Sequence, residues 1–191
     1  MGRADQDGVH AGGQDWLAIW RAMYDAERAQ GEAATDPNFA RHADSWAGRA
    51  ARFAAASRRT AQPDSFMAWL APQLHPDDRV IDVGAGSGRY LPYLATLVAE
   101  VLAVEPSPAM RAELTQTLEE ASADNVRLLD GSWPLAEPLA AEVVISAHVV
   151  YGVREIGPFL LGIDAAASRV ARASVSPTGS TVASWVRCFS S

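Results

Sequence analysis

Hydrophobic residues fall into two regimes of spacing along the chain. Up to about residue 74 they recur at helical intervals: Trp16, Ile19 and Met23 share one face, and Trp46, Ala50 and Phe53 share another. Asp36-Pro37 reads as one helix start and Gln62-Pro63-Asp64 as another, whose helix ends at His75-Pro76. From Asp78 onward the pattern changes to short apolar runs alternating with helical stretches. The runs at 79–83, 101–104, 126–129 and 142–146 predict four buried strands. Helices are predicted over 89–99, from Pro106-Ser107-Pro108 onward, and over 155–172. The last would carry Phe159, Leu160, Ile163, Ala167 and Val170 on its apolar side. Strand and helix in alternation imply a mainly parallel sheet with right-handed crossovers.

Past residue 172 this alternation weakens. Residues 173–180 are polar and turn-rich, and 181–186 supply at most a fifth strand. No residues are left for a sixth and a seventh, so the pattern predicts a truncated or frame-altered tail. The division expected is 1–13 disordered, 14–77 a helical cap, and 78–191 an α/β domain with an incomplete C-terminal part.

Composition narrows the function. A chain of 191 residues, 49% hydrophobic and 20% charged, can bury a core as one domain with extra helices. Its net charge of −7 disfavours broad binding to a phosphate backbone. The basic stretch Arg41, Arg49, Arg52, Arg58 and Arg59 reads instead as a solvated helix face. One cysteine, Cys188, excludes an internal disulfide, and four scattered histidines offer no close metal pair. The opening residues lack the apolar core of a signal peptide, and the longest apolar run, 143–153, is too short to span a bilayer. The expectation is a cytoplasmic protein without metal, membrane or nucleic-acid partner. Oligomeric state is not encoded legibly.

The candidate chemistry sits at the strand ends. Val80-Ile81-Asp82-Val83-Gly84-Ala85-Gly86-Ser87-Gly88 is a strand running into a turn with glycine at alternate positions, with a helix to follow. Such a corner lets backbone approach a ligand and aims helix N–H groups at it. A dinucleotide fingerprint would need glycine where Arg89 stands, which disfavours a nicotinamide oxidoreductase. The second strand ends in Glu105, placed to accept both hydroxyls of a ribose. Ser107 can cap the next helix and Pro108 suits its first turn.

Asp-x-Gly-x-Gly-x-Gly followed by Glu105, Asp130-Gly131 and Ser146-Ala147-His148 resembles the class I S-adenosylmethionine-dependent methyltransferases. The resemblance covers about 79–172 and implies a Rossmann-like sheet under a helical cap. It implies that Gly84, Ala85, Gly86 and Gly88 form the cofactor loop and that Asp82 supports it. Glu105 would hold the ribose, Asp130 would meet the adenine and Met110 could lie against its face; Pro106, Gly131 and Ser146 are the other expected cofactor contacts. The function implied is methyl transfer from S-adenosylmethionine to a small-molecule acceptor. The alternatives are a silent cofactor-binding remnant or interaction module, motivated by the tail, and the disfavoured oxidoreductase.

His148 stands where a general base would be needed if the acceptor arrives protonated; its other reading is a structural histidine bonded to backbone. Tyr151 is a weaker candidate. Tyr90, Trp133 and Phe159 either flank a ligand or pack, and the four tryptophans of the cap read as packing residues.

Overall fold

The computed structural model describes residues 15–33, 44–59, 64–175 and 183–188. The expected disordered lead and the Asp36-Pro37 helix start lie outside the described residues. Three helices precede the sheet: α1 (Trp16–Ala33), α2 (Ala50–Arg59) and α3 (Ser65–Leu70). α3 begins where the sequence places it because Asp64 caps it, one carboxylate oxygen accepting from the Phe66 and Met67 amides, each at 3.1 Å.

Six strands then form one sheet: β1 (Arg79–Val83), β2 (Glu100–Glu105), β3 (Val126–Asp130), β4 (Ala141–Ala147), β5 (Ala167–Val175) and β6 (Ala183–Cys188). Their order is β3-β2-β1-β4-β5-β6, the first five parallel and β6 antiparallel to β5. The helices between them are α4 (Leu91–Ala95), α5 (Pro108–Ala121) and α6 (Ile156–Ala166). The Rossmann-like class is as expected.

Three expectations need correction. The helix expected over 155–172 stops at Ala166, and Ala167–Val175 is β5. Alanine favours helix locally, but here the open edge of β4 is available, and pairing from Ala141↔Ala167 to Ala147↔Ser174 overrides that preference. The segment read as a possible fifth strand is therefore the sixth, running antiparallel from Val170↔Cys188 to Val175↔Ala183. The tail therefore supplies an antiparallel strand where the sequence pattern leaves no residues for one. Finally, the helix expected over 89–99 is short. It ends at Thr96, whose hydroxyl turns back to the Tyr93 carbonyl at 2.7 Å.

Each sheet face has its own core. Phe66, Met67 and Leu70 of α3, Leu91 and Leu94 of α4 and Leu114 of α5 cover Val80, Val101, Val143 and Val170. On the other face Phe159 and Ile163 of α6 cover Ile81, Val83, Val144 and Ala171. Each large side chain buried this way contributes about 1.5–3 kcal/mol. α1 reaches the loop after β4: the Trp20 indole N–H donates to the Val153 carbonyl at 2.7 Å, and Arg21 pairs with Glu155. The chain leaves β1 toward β2 and later returns to β1's other side as β4, so the sheet reverses direction there. The crevice outside such a reversal is where ligands bind in open α/β sheets.

Candidate functional site

The loop after β1 is drawn onto β2. The Gly84 and Ala85 amides both donate to the Val104 carbonyl, at 2.8 and 3.1 Å. The glycines do different work. At Gly84 (φ +75°) an added Cβ would lie 2.5 Å from Val149, so this position admits glycine because the segment after β4 presses on it. At Gly86 (φ +58°) an added Cβ would meet nothing within 4 Å, which leaves open space over the loop. Gly88 packs toward Leu114 and Thr117 of α5.

Glu105 closes the loop from the other side. Its carboxylate accepts from the Gly86 amide at 2.8 Å and the Ser107 amide at 2.9 Å, and it is 5% exposed. Burial pushes its carboxyl up, partly offset by those two amides and by Arg111. Asp82, on the adjacent strand and 3% exposed, is pushed up to about 7 by burial and by the Glu105 charge. Two carboxylates thus lie beneath one glycine loop. Each Glu105 oxygen keeps a lone pair beyond its amide bond, enough to accept from a ribose diol.

Two further acidic groups border this corner. Asp130 lies at the tip of β3 with its side chain 70% exposed, and Arg111 of α5 donates to it at 2.6 Å. The same guanidinium nitrogen donates to the Glu105 and Pro106 carbonyls, tying three expected site residues together. Asp44, which the sequence did not single out, accepts from the Ser107 hydroxyl at 2.9 Å and the Ala109 amide at 3.0 Å. Burial opposes its ionisation, but the Trp46, Ala109 and Ser107 donors outweigh that and hold its carboxyl below the usual range. Asp44 therefore fastens the segment before α2 to the start of α5.

The remaining expected residues fall in different places. Ser107 caps α5 through the Met110 amide, with Pro108 in the first turn as read. Met110 is buried at 1% exposure. Ser146 is fully buried and its hydroxyl donates to the Val83 carbonyl at 3.0 Å, joining β4 to β1. Gly131 is held close by Leu135, 2.5 Å from where a Cβ would stand. Trp133 packs on α6, its indole N–H donating to the Phe159 carbonyl at 3.3 Å, and Phe159 is core. Tyr151 is 56% exposed.

His148 follows β4 with a left-handed backbone (φ +62°), uncommon for a residue other than glycine. Its Nε2 lies 3.4 Å from the Tyr90 hydroxyl, which donates to Asp64 at 2.8 Å. Arg89 also reaches that Asp64 oxygen, at 3.1 Å. Burial, then the Arg89 charge, push the His148 imidazole toward its neutral form, with the Asp64 carboxylate opposing them. Burial and the Asp64 carboxylate keep the Tyr90 hydroxyl protonated well above its ordinary range. Among the described residues, no helix is long and apolar enough to cross a membrane, and no three acidic, histidine or cysteine side chains cluster as metal ligands.

Residues 80–157 match the family model described as a methyltransferase domain. The chain is 36% identical over 77 residues to a protein-L-isoaspartate O-methyltransferase of Methanoregula boonei, covering 39% of this chain and 36% of that protein. It is 38% identical over 87 residues to protein-L-isoaspartate O-methyltransferase 2 of an Anaeromyxobacter species, covering 44% and 35% respectively. The chain thus spans well under half the length of these curated relatives. Among solved structures it resembles a putative S-adenosyl-L-methionine-dependent methyltransferase from Methanococcus maripaludis, with TM-score 0.57, 15% identity, and coverage of 66% of this chain and 61% of that one. It also resembles a SAM-dependent methyltransferase from Aquifex aeolicus, with TM-score 0.52, 22% identity, and coverage of 64% and 71%. Those likenesses concern the fold, whereas the sequence match falls on the glycine loop, Glu105 and the segment after β4. Residues 80–157 are therefore similar in sequence to a methyltransferase domain, on a fold shared with S-adenosylmethionine-dependent methyltransferases.

Proposed function

We propose that this protein binds S-adenosylmethionine over the Gly84–Gly88 loop and transfers its methyl group to an acceptor seated beside His148. The observation that carries this reading is the Glu105 carboxylate, bound to the Gly86 and Ser107 amides under a loop with open space above Gly86. The donor set fits the cofactor. Glu105 would accept the ribose hydroxyls, and Asp130, beside Gly131 and with Pro106 nearby, would accept from the adenine amino group. Asp82 would face the amino-acid end, where a cationic ammonium favours its ionised form. When bound, the cofactor supplies a methyl group already activated on a sulfonium. The protein's part is then to align the acceptor, and good alignment is worth up to about 7–11 kcal/mol of the barrier.

The first reading of the acceptor is a small molecule that arrives protonated and loses its proton to His148. A second is a protein carboxylate, favoured by the names of the curated relatives. Function is set by the site and not by the fold, so the names do not choose between them. The helices of 14–77, α1 to α3 among them, would form the cap over both ligands.

Methyl-labelled S-adenosylmethionine, incubated with the protein and either an isoaspartyl peptide or a small-molecule panel, tests the proposal. Label in the peptide selects the second reading, and label in a small acceptor selects the first. A folded protein that transfers label to neither and retains no cofactor contradicts both.

A further inference from the structure

We infer that Asp64 and Tyr90 are positioning residues that fix the proton of His148 on Nε2, leaving Nδ1 as the atom that receives the acceptor's proton. The inference rests on the methyltransferase reading and goes beyond it in assigning the cap a part in the chemistry.

The argument is one of donors and acceptors. The Tyr90 hydroxyl has a single hydrogen, and at 2.8 Å it is given to the Asp64 carboxylate, which can only accept. The Tyr90 oxygen can therefore meet His148 Nε2, 3.4 Å away, only as an acceptor, so Nε2 carries the hydrogen. A neutral imidazole holds one N–H, and Nδ1 is then its free lone pair. The chain of groups runs from carboxylate through phenol to imidazole, an order that stabilises the ring when it becomes charged.

The geometry is held from several elements. Asp64 is fixed by its other oxygen, which caps α3. The Tyr90 ring packs at 5.3 Å on Phe66 of α3, and the residue is 8% exposed. His148 is set at the end of β4 by its left-handed backbone. The charged and titratable groups facing this chain are Arg89 from the loop before α4, Asp64 before α3, and Asp82 from β1. Arg172 of β5 lies beyond the Phe66 ring, at 5.3 Å from it. Arg89 opposes protonation of the ring and Asp64 favours it.

In the transfer, His148 takes the acceptor's proton at Nδ1 while the acceptor's lone pair forms the bond to the methyl carbon. The carbon–sulfur bond breaks toward sulfur, leaving a neutral thioether, and the imidazolium releases its proton to water. Because Asp64 belongs to the cap, the orientation of His148 depends on α3 being docked.

Nitrogen-15 NMR of the histidine rings tests this without an acceptor, with His148→Gln identifying the signal among the four histidines. In the native protein the His148 ring is expected neutral at pH 7 with its proton on Nε2. In Tyr90→Phe, which keeps the ring that packs on Phe66, its titration midpoint is expected to fall by about half a unit or more. Binding of S-adenosylhomocysteine and the unfolding midpoint should stay near native values. A proton found on Nδ1, or an unchanged titration in Tyr90→Phe, overturns the inference. Absence of S-adenosylhomocysteine binding with the expected histidine signals would instead overturn the methyltransferase reading.

Discussion

Glu105 accepts a hydrogen bond from the Gly86 amide at 2.8 Å, so the last residue of β2 and the middle of the glycine loop form one unit. The contact makes the loop conformation depend on the group proposed to hold the ribose. Replacing Glu105 with Ala removes both the ribose acceptor and the loop's tether. With about 1.5–3 kcal/mol for a charge-assisted bond, affinity for S-adenosylhomocysteine is expected to fall about ten- to a hundredfold. Calorimetric titration of the variant checks it, and unchanged affinity removes the ribose assignment.

Gly84 and Val149 make a second checkable pair. A Cβ on Gly84 would stand 2.5 Å from a Val149 methyl, at φ +75°. Gly84→Ala is expected to cost about 1–3 kcal/mol in urea unfolding, from strain and overpacking together. Adding Val149→Ala should recover part of that loss by removing the clash. A double variant no more stable than Gly84→Ala alone would show that the backbone conformation, and not the contact, sets the cost.

Asp82 gives stability a pH dependence of known sign. Its carboxyl is pushed up to about 7 in the folded state, chiefly by burial, against about 3.9 for an unperturbed aspartate. The folded state therefore binds the proton more tightly than the unfolded one. Its contribution is fully present below about pH 4 and is lost as pH rises toward 7. Glu105 shifts in the same direction, whereas Asp44 and Asp78 are held low and act in the opposite sense. The measurement is accordingly a difference: unfolding free energy of the native protein minus that of Asp82→Asn, from pH 4 to 8. The difference should become less favourable to the native chain as pH rises, and a flat difference contradicts the burial argument.

The docking of α1 separates a buried-edge hydrogen bond from exposed ion pairs. Arg154 and Asp25 are about half exposed, at 47% and 52%. Arg154→Ala is therefore expected to shift the unfolding midpoint little, and less still in high salt. Trp20→Phe leaves the Val153 carbonyl without its 2.7 Å donor and removes indole packing, with an expected cost of about 1–3 kcal/mol. Thermal unfolding at low and high salt distinguishes the two.

The sequence was legible where the elements of the candidate site are local in the chain. Strand, glycine turn and the acidic end of β2 are written in consecutive residues, because backbone approach to a ligand demands glycine and a buried strand demands an apolar run. The caps at Asp64 and Ser107 were readable for the same reason. What was not readable depends on partners distant in sequence. Ala167–Val175 carries alanines that suit a helix, and pairing with β4 on one side and β6 on the other makes it a strand. Asp64 announces a helix start but not its second oxygen's bond to Tyr90, 26 residues on. Asp44 has no local signature, since its partners Ser107 and Ala109 lie at the head of α5.

The central claim is that the corner between β1 and β2 is a site for S-adenosylmethionine. The most direct measurement is calorimetric titration of the purified protein with S-adenosylmethionine and S-adenosylhomocysteine, with NADH as the control. One-to-one binding of the first two in the micromolar range, and none of NADH, is the expected result. A cooperatively folded protein that binds neither, or that binds NADH in their place, would contradict it.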